Sequence, residues 1–339
     1  DGSPFFDKLK DVSFYVNEPV WVNNHIHILK PKERILPRYL THSFNCVDYK
    51  EYITGSTRDK LTQSDLKRIS HCVPPLQEQQ QIIQFLDEKT ELIDKLISTK
   101  ERKITLLKEQ RTSLIHQIVT KGLTSNVKMK ESGVEWIGNV PVHWGLKKLK
   151  FLCNTTTYQI SQDKLNDIEL IHYSIPNVQE FGKGVVENGT DIDSSKLVVK
   201  GGEILFSKLN PRKGTCCIVE QNESYLIVCS GEFISLVPYN DNSTFIYFLI
   251  SNQSFVNYID SMVESVTRSH QRVRPEKFLS SIIPIPPISE QVQIVDFLNS
   301  KTKEIDDLVD LEHKKIEILT EYKQSLISEV VTGKIKVTQ

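Results

Sequence analysis

The sequence predicts an α+β protein in which strand-rich globular blocks alternate with two long helices of one design. Three observations carry this prediction. Residues 74–120 align without a gap on residues 286–332, with 22 identities in 47 positions at a constant offset of 212, which marks a duplicated module. Both copies lack Pro and Gly between their opening Pro-Pro and Gly122 or Gly333, so each can run as one long helix. The blocks outside the copies break β-branched and aromatic runs with Gly, Pro and Asn turns.

In chain order, the N-terminal block opens on a polar turn at Asp1-Gly2-Ser3. Strand-like runs follow at 14–16 and 20–29, then a short helical stretch at 36–53 and a basic turn before Pro74. In the first copy, apolar residues alternately four and three apart include Leu86, Ile93, Ile97, Ile104, Leu107 and Leu114. The second copy places Leu298, Ile305, Val309, Ile316, Leu319 and Leu326 at the same points. These are matching coiled-coil seams and the expected helix-pairing residues. Their polar positions also match, Thr90, Lys100 and Arg111 against Thr302, Glu312 and Lys323, which argues for a fixed register. At 1.5 Å per residue such a helix spans roughly 65 Å, long enough to act as a spacer as well as a core. Closing a helical bundle is the plainer alternative, but two copies flanking an unrelated block suit a ruler between two heads.

The second globular block is read as strands over 197–237 and a short amphipathic helix over 244–260. Residues 24–73 repeat the plan of 232–285, most visibly in Thr57-Arg58 and Thr267-Arg268 ahead of each Pro-Pro. From Met129 to Ile285 the second head has 157 residues against 73 in the first, so the first is expected to lack roughly 84 residues, in keeping with a start that has no Met.

Composition narrows the function. With 42 Lys and Arg against 43 Asp and Glu, the 339-residue chain does not hold nucleic acid by overall charge, so any such role needs local patches. Cys46, Cys72, Cys153, Cys216, Cys217 and Cys229 form no C-x-x-C pair, which suggests reduced thiols rather than a zinc site or disulfide framework. No apolar run approaches a membrane span, and the expectation is a soluble cytoplasmic protein with no membrane partner.

No enzyme signature stands. There is no phosphate loop and no G-x-G-x-x-G, and Asn210-Pro211-Arg212 lacks the second proline and aromatic of the Asn-Pro-Pro-Tyr amino-methyltransferase motif. His25 and His27 fit one face of a strand and lack carboxylate or Cys partners, so no metal site is expected. Charge distribution says more. Residues 160–195 hold seven acids and two lysines, whereas 205–214 carry Lys208, Arg212 and Lys213 with no acid. Residues 266–277 carry Arg268, Arg272, Arg274 and Lys277 around His270 and Gln271, with one acid. Two turns rich in Arg, Lys, Asn, Gln and His carry the side chains that grip phosphates and read base edges in the major groove. Two solvated loops are the plainer alternative.

The helix openings Pro74-Pro-Leu-Gln-Glu-Gln79 and Pro286-Pro-Ile-Ser-Glu-Gln291 resemble the conserved regions of the DNA-specificity (S) subunit of type I restriction-modification enzymes. So do the helix ends Ile118-Val-Thr-Lys-Gly122 and Val330-Val-Thr-Gly-Lys334 and the lead-in from Ser132 through Trp136 and Pro141 to Trp144. The resemblance covers essentially the whole chain. It implies two α/β target-recognition domains with twisted sheets, separated by two long antiparallel coiled-coil helices. Residues 1–73 would be the C-terminal part of the first domain, 74–123 the first spacer helix, 124–285 the second domain and 286–339 the second helix. The implied function is a non-catalytic subunit that reads a bipartite, interrupted sequence in double-stranded DNA and positions two methyltransferase (M) subunits, with restriction (R) subunits in the full complex. S-adenosylmethionine, ATP and Mg²⁺ would belong to those partners and none to this chain. Carried onto matching positions, the expected DNA contacts are Lys208, Asn210, Arg212, Lys213, Arg268, His270, Gln271, Arg272 and Arg274. Thr57, Arg58 and Lys60 are their counterparts in the first domain. Two other classes stay open from the residues alone, a coiled-coil scaffold without DNA readout and an enzyme whose domain is swapped around the helices.

Overall fold

A computed structural model describes residues 10–23, 25–53, 61–263 and 271–337. Its helices are α1 (Pro37–Asn45), α2 (Gln63–Arg68), α3 (Leu76–Lys121), α4 (Ile175–Phe181), α5 (Ser243–Ser251), α6 (Gln253–Asp260), α7 (Pro275–Leu279) and α8 (Ile288–Val331). The duplicated segment forms α3 and α8, unbroken over 46 and 44 residues, each starting directly after its Pro-Pro. Two compact units divide the chain, Asp1–Leu106 with Asp307–Gln339, and Leu107–Asp306. Each unit therefore holds one end of α3 and the opposite end of α8.

In the first unit the two helix segments run antiparallel, because Asp94 pairs with Lys323 while the later Lys100 pairs with the earlier Glu312. Tyr39, Ile82, Leu86, Ile93, Leu326, Ile327, Val330 and Val331 form their shared core. The entry to α3 is tied down by Gln79, which is fully buried. Its Oε1 accepts from the Leu36 N–H at the start of α1, and its Nε2 donates to the Arg34 and Pro74 carbonyls. The strand-like runs at 14–16 and 20–29 form no β-ladder among the described residues. Phe14, Trp21, Ile26 and Ile28 are exposed, Trp21 completely. Strand propensity reports fit to a pleated, half-buried surface. With no β-ladder among the described residues, these side chains are left exposed instead of packing on a pleated surface. His25 and His27 accordingly share no strand face, and His27 Nε2 donates to the Leu61 carbonyl at 2.8 Å.

The second unit holds strands β1 (Met129–Glu131), β2 (Asn139–Pro141), β3 (Gly145–Lys148), β4 (Cys153–Thr155), β5 (Gln159–Ile160), β6 (Glu169–Tyr173), β7 (Val185–Asn188), β8 (Lys196–Val198), β9 (Ile204–Ser207), β10 (Cys216–Ile218), β11 (Leu226–Cys229), β12 (Phe233–Pro238) and β13 (Ile282–Ile285). An antiparallel four-stranded sheet runs β10-β9-β12-β4, and a five-stranded sheet runs β5-β8-β11-β6-β7 with one parallel pair, β11 and β6. Two-stranded ladders join β1 to β2 and β13 to β3. Phe206, Phe255 and Phe278 stack and cross edge-on in the core beneath the four-stranded sheet, with Trp136 against Phe255.

Residues 244–260, expected as one amphipathic helix, are two. Asn252 ends α5 and caps α6, its Oδ1 accepting from the Ser254 and Phe255 N–H groups. Five residues of α5 are buried, so it lies within the core rather than along its surface. Motif residues again fix the start of the long helix. Glu290 accepts from Trp144 Nε1 and His143 Nε2, while Gln291 accepts from the Asn242 N–H at the start of α5 and donates to Asp241 and the Pro286 carbonyl.

Candidate nucleic-acid interface

The basic turn after β9 is built by its backbone. Asn210 takes a left-handed conformation (φ 48°), a region that Asn tolerates better than most residues. Pro211–Lys213 then make a single 3₁₀ turn closed by Gly214 at φ 60°. A Cβ on Gly214 would stand 3.2 Å from Val256 Cγ2, so strain and the close approach to α6 both favour glycine here. Pro211 is buried while Arg212 and Lys213 are exposed, so the turn is anchored by its apolar member and presents its cations.

The chain at 271–274 lies directly beside it. Leu209 and Arg272 form an isolated antiparallel bridge, Asn210 N–H donates to the Gln271 carbonyl at 2.7 Å, and Val273 N–H donates to the Lys208 carbonyl at 3.0 Å. Gln271 N–H reaches Asn210 Oδ1 at 3.4 Å, and Arg212 Nη1 lies 3.5 Å from Gln271 Oε1. Val273 is buried and Arg272 and Arg274 point outward, as strand alternation requires. Segments more than fifty residues apart thus make one surface carrying Lys208, Asn210, Arg212, Lys213, Gln271, Arg272 and Arg274.

One contact of this surface was not legible in the sequence. Glu232, just before β12, accepts a bidentate pair from Arg272, Nε to Oε2 at 3.0 Å and Nη2 to Oε1 at 3.1 Å. This fork fixes the guanidinium plane, and the carboxylate raises the Arg272 pKa further. Arg268 and His270, and Thr57, Arg58 and Lys60 of the first unit, lie outside the described residues.

Of the helix-pairing residues, Leu86, Ile93, Ile104, Leu298, Ile305, Val309 and Leu326 are buried, and Ile97, Leu107, Leu114, Ile316 and Leu319 are half-buried. Ile82, Ile115, Val119, Ile294 and Ile327 are buried as well and lie off the strict four-three spacing, because a helix of 3.6 residues per turn buries a stripe wider than one seam. No described helix is long and apolar enough to cross a membrane.

The comparisons with known proteins agree with this architecture. The family profile described as type I restriction modification DNA specificity domain matches residues 12–106 and 141–321. The chain assigned as the MjaX type I restriction enzyme specificity subunit of Methanocaldococcus jannaschii is 26% identical, over 96% of this chain and 75% of that one. The type I restriction enzyme MjaVIII specificity subunit of the same organism is 24% identical, over 91% of this chain and 73% of that one. A solved structure concerned with complex assembly and conformational transition of the type I R-M system superposes at a TM-score of 0.65 with 14% identity, over 88% of this chain and 72% of that one, which shows a shared fold. With the profile covering most of its length, the chain belongs to the type I restriction-modification DNA specificity family, the subunits that recognise DNA for these systems.

Proposed function

We propose that the second unit reads one half of a bipartite, interrupted sequence in double-stranded DNA through the joined turns at 207–214 and 271–274. The observation that carries this reading is their convergence: two acid-poor segments, far apart in sequence, are held edge to edge by backbone hydrogen bonds with Arg212, Lys213, Arg272 and Arg274 outward. Backbone pairing gives the rigid placement that base readout needs, and Arg and Asn are the residue types that make bidentate contacts to guanine and adenine edges. Residues 1–73 would belong to a first recognition domain whose corresponding contacts are Thr57, Arg58 and Lys60, with 74–123 and 286–339 as spacer helices flanking a second domain at 124–285.

In this reading the chain performs no chemistry. Two methyltransferase subunits bind along the helices, restriction subunits complete the complex, and S-adenosylmethionine, ATP and Mg²⁺ act in those subunits within the cytoplasm. A net charge of −1 is compatible, since the methyltransferase subunits share the grip on the phosphates. Methylome sequencing of cells with and without this gene tests it. A bipartite methylation motif that vanishes with the gene supports the reading, and an unchanged methylome refutes it.

A further inference from the structure

One hydrogen bond in the first unit spans a whole repeat. Lys100 Nζ donates to Glu312 Oε2 at 3.1 Å, and the two residues stand 212 positions apart, the period of the duplication. Helices of one design packed antiparallel bring a residue onto its own equivalent only at the centre of the pairing, so this contact marks that centre. Lys103 and Lys315 are also equivalents, and both donate to Glu312 Oε1, at 2.8 and 3.0 Å. A single carboxylate, 1% exposed, thus gathers three ammonium groups between the apolar seam residues Ile97, Ile104, Val309 and Ile316. Lys103, Lys315 and Lys100, in that order, hold the Glu312 carboxyl down at about 2, so it stays ionised.

Elsewhere the seams match in kind, but at the centre a cation faces an anion. If α3 met the α3 of a second copy in this register, Lys100 and Lys103 from each chain would bring four ammonium groups together with no carboxylate. An α8 pair would bring two of each sign. We propose that Lys100 and Glu312 select the α3–α8 pairing by excluding self-pairing of α3 with a second copy of this chain. Like charges set against each other in a seam where Lys100 is 26% and Lys103 53% exposed are a partly screened repulsive element directed at the wrong partner. Guarding α3 alone suffices against like-with-like pairing, because two chains that pair α8 with α8 in this way bring their α3 helices together as well, whereas a reciprocal α3–α8 exchange keeps the Lys100–Glu312 contact and is not opposed.

The test uses two differently tagged copies of the full chain, co-expressed, with capture of the second tag through the first. Lys100→Glu gives the α3 self-pair two charges of each sign, and cross-capture should rise by roughly threefold or more over wild type at equal expression and ionic strength. Lys100→Gln, which removes one charge without adding another, should give an intermediate rise and stands in if the first variant fails to fold. Combining Lys100→Glu with Glu312→Lys moves the lone acid onto α3 and the four lysines onto the α8 self-pair, so capture should return to the wild-type level. Wild-type capture in both single variants, or raised capture that persists in the exchanged double variant, overturns the proposal.

Discussion

Removing Arg212 and Arg272 together tests the proposed interface most directly. Both guanidinium groups are exposed, and Gln271 beside them belongs to the same surface. If each reads a guanine edge, the double Arg212→Ala, Arg272→Ala change loses about 1–3 kcal/mol per residue, or roughly 30-fold to 20,000-fold in affinity for the specific site. Glu232 modifies this in two opposing ways. Arg272 must release donors from the Glu232 carboxylate to reach DNA, at the cost of a half-exposed ion pair of about 0.2–1 kcal/mol. Deleting Arg272 leaves Glu232 facing the phosphates unpaired, a penalty of similar size, so the range stands. If the two residues touch only phosphates, every sequence loses affinity alike, and the slope of log K on log salt falls by about 1.8. A gel-shift titration of the assembled methyltransferase, on target and scrambled DNA at several salt concentrations, separates these outcomes. Wild-type affinity for the target at fixed salt would refute the assignment, as would loss of the assembly itself.

Gln79→Ala and Gln291→Ala each strip three hydrogen bonds from a buried helix entry, at about 2–4 kcal/mol, and should lower the melting temperature by roughly 5–15 °C in calorimetry. A shift within scan error would contradict the buried geometry. Leu107→Asp with Leu319→Asp sets a carboxylate into each half-buried seam and should abolish helix pairing and co-elution with methyltransferase subunits; an unchanged elution volume with those subunits bound counts against it. Burial holds His42, His71, His116 and His172 below their ordinary pKa, in His172 despite the neighbouring Glu187. The unfolded chain therefore binds more protons than the folded one below about pH 6.5, and stability falls as pH drops through that value. Glu312, held at about 2, keeps its contribution in that window and loses it as pH falls from the ordinary carboxylate range toward 2. Melting at pH 7.5 and 5.5 should show the drop, and His172→Gln should reduce it; equal melting temperatures at the two pH values would contradict neutral buried histidines.

The long helices were legible because their evidence is redundant, with 22 identities and two seams that fail at the same places. The N-terminal runs were not. Composition reports what a residue can do in a sheet, and whether Phe14 or Trp21 finds a neighbouring strand is a tertiary fact. The basic turns were visible as charge, but nothing local announced that Leu209 would bridge to Arg272 or that Glu232 would clamp it. Gln79 and Gln291 were seen only as members of a helix-start motif. Their burial depends on a carbonyl five residues back and on the first N–H of another helix.

Those two glutamines show what was duplicated. Each accepts from the residue that opens a short helix, Leu36 before α1 and Asn242 before α5, and each donates to the first proline of its own Pro-Pro. Gln63 and Pro275, the first residues of α2 and α7, stand one period apart. The ion pairs Asp94–Lys323 and Arg111–Asp306 are one contact made twice, with Lys in one copy for Arg in the other. Thr90 and Thr302 bond the carbonyls four residues back, at Leu86 and Leu298. What the two copies share is therefore a set of contacts made for the most part by the same residues. Identity between 24–73 and 232–285 has decayed while the helix entries still close in the same way. That pattern fits the proposed function: apart from Asp241, the partners of the two buried amides are backbone groups, so the side chains of the turns ahead of them can change while each helix start keeps its bonds.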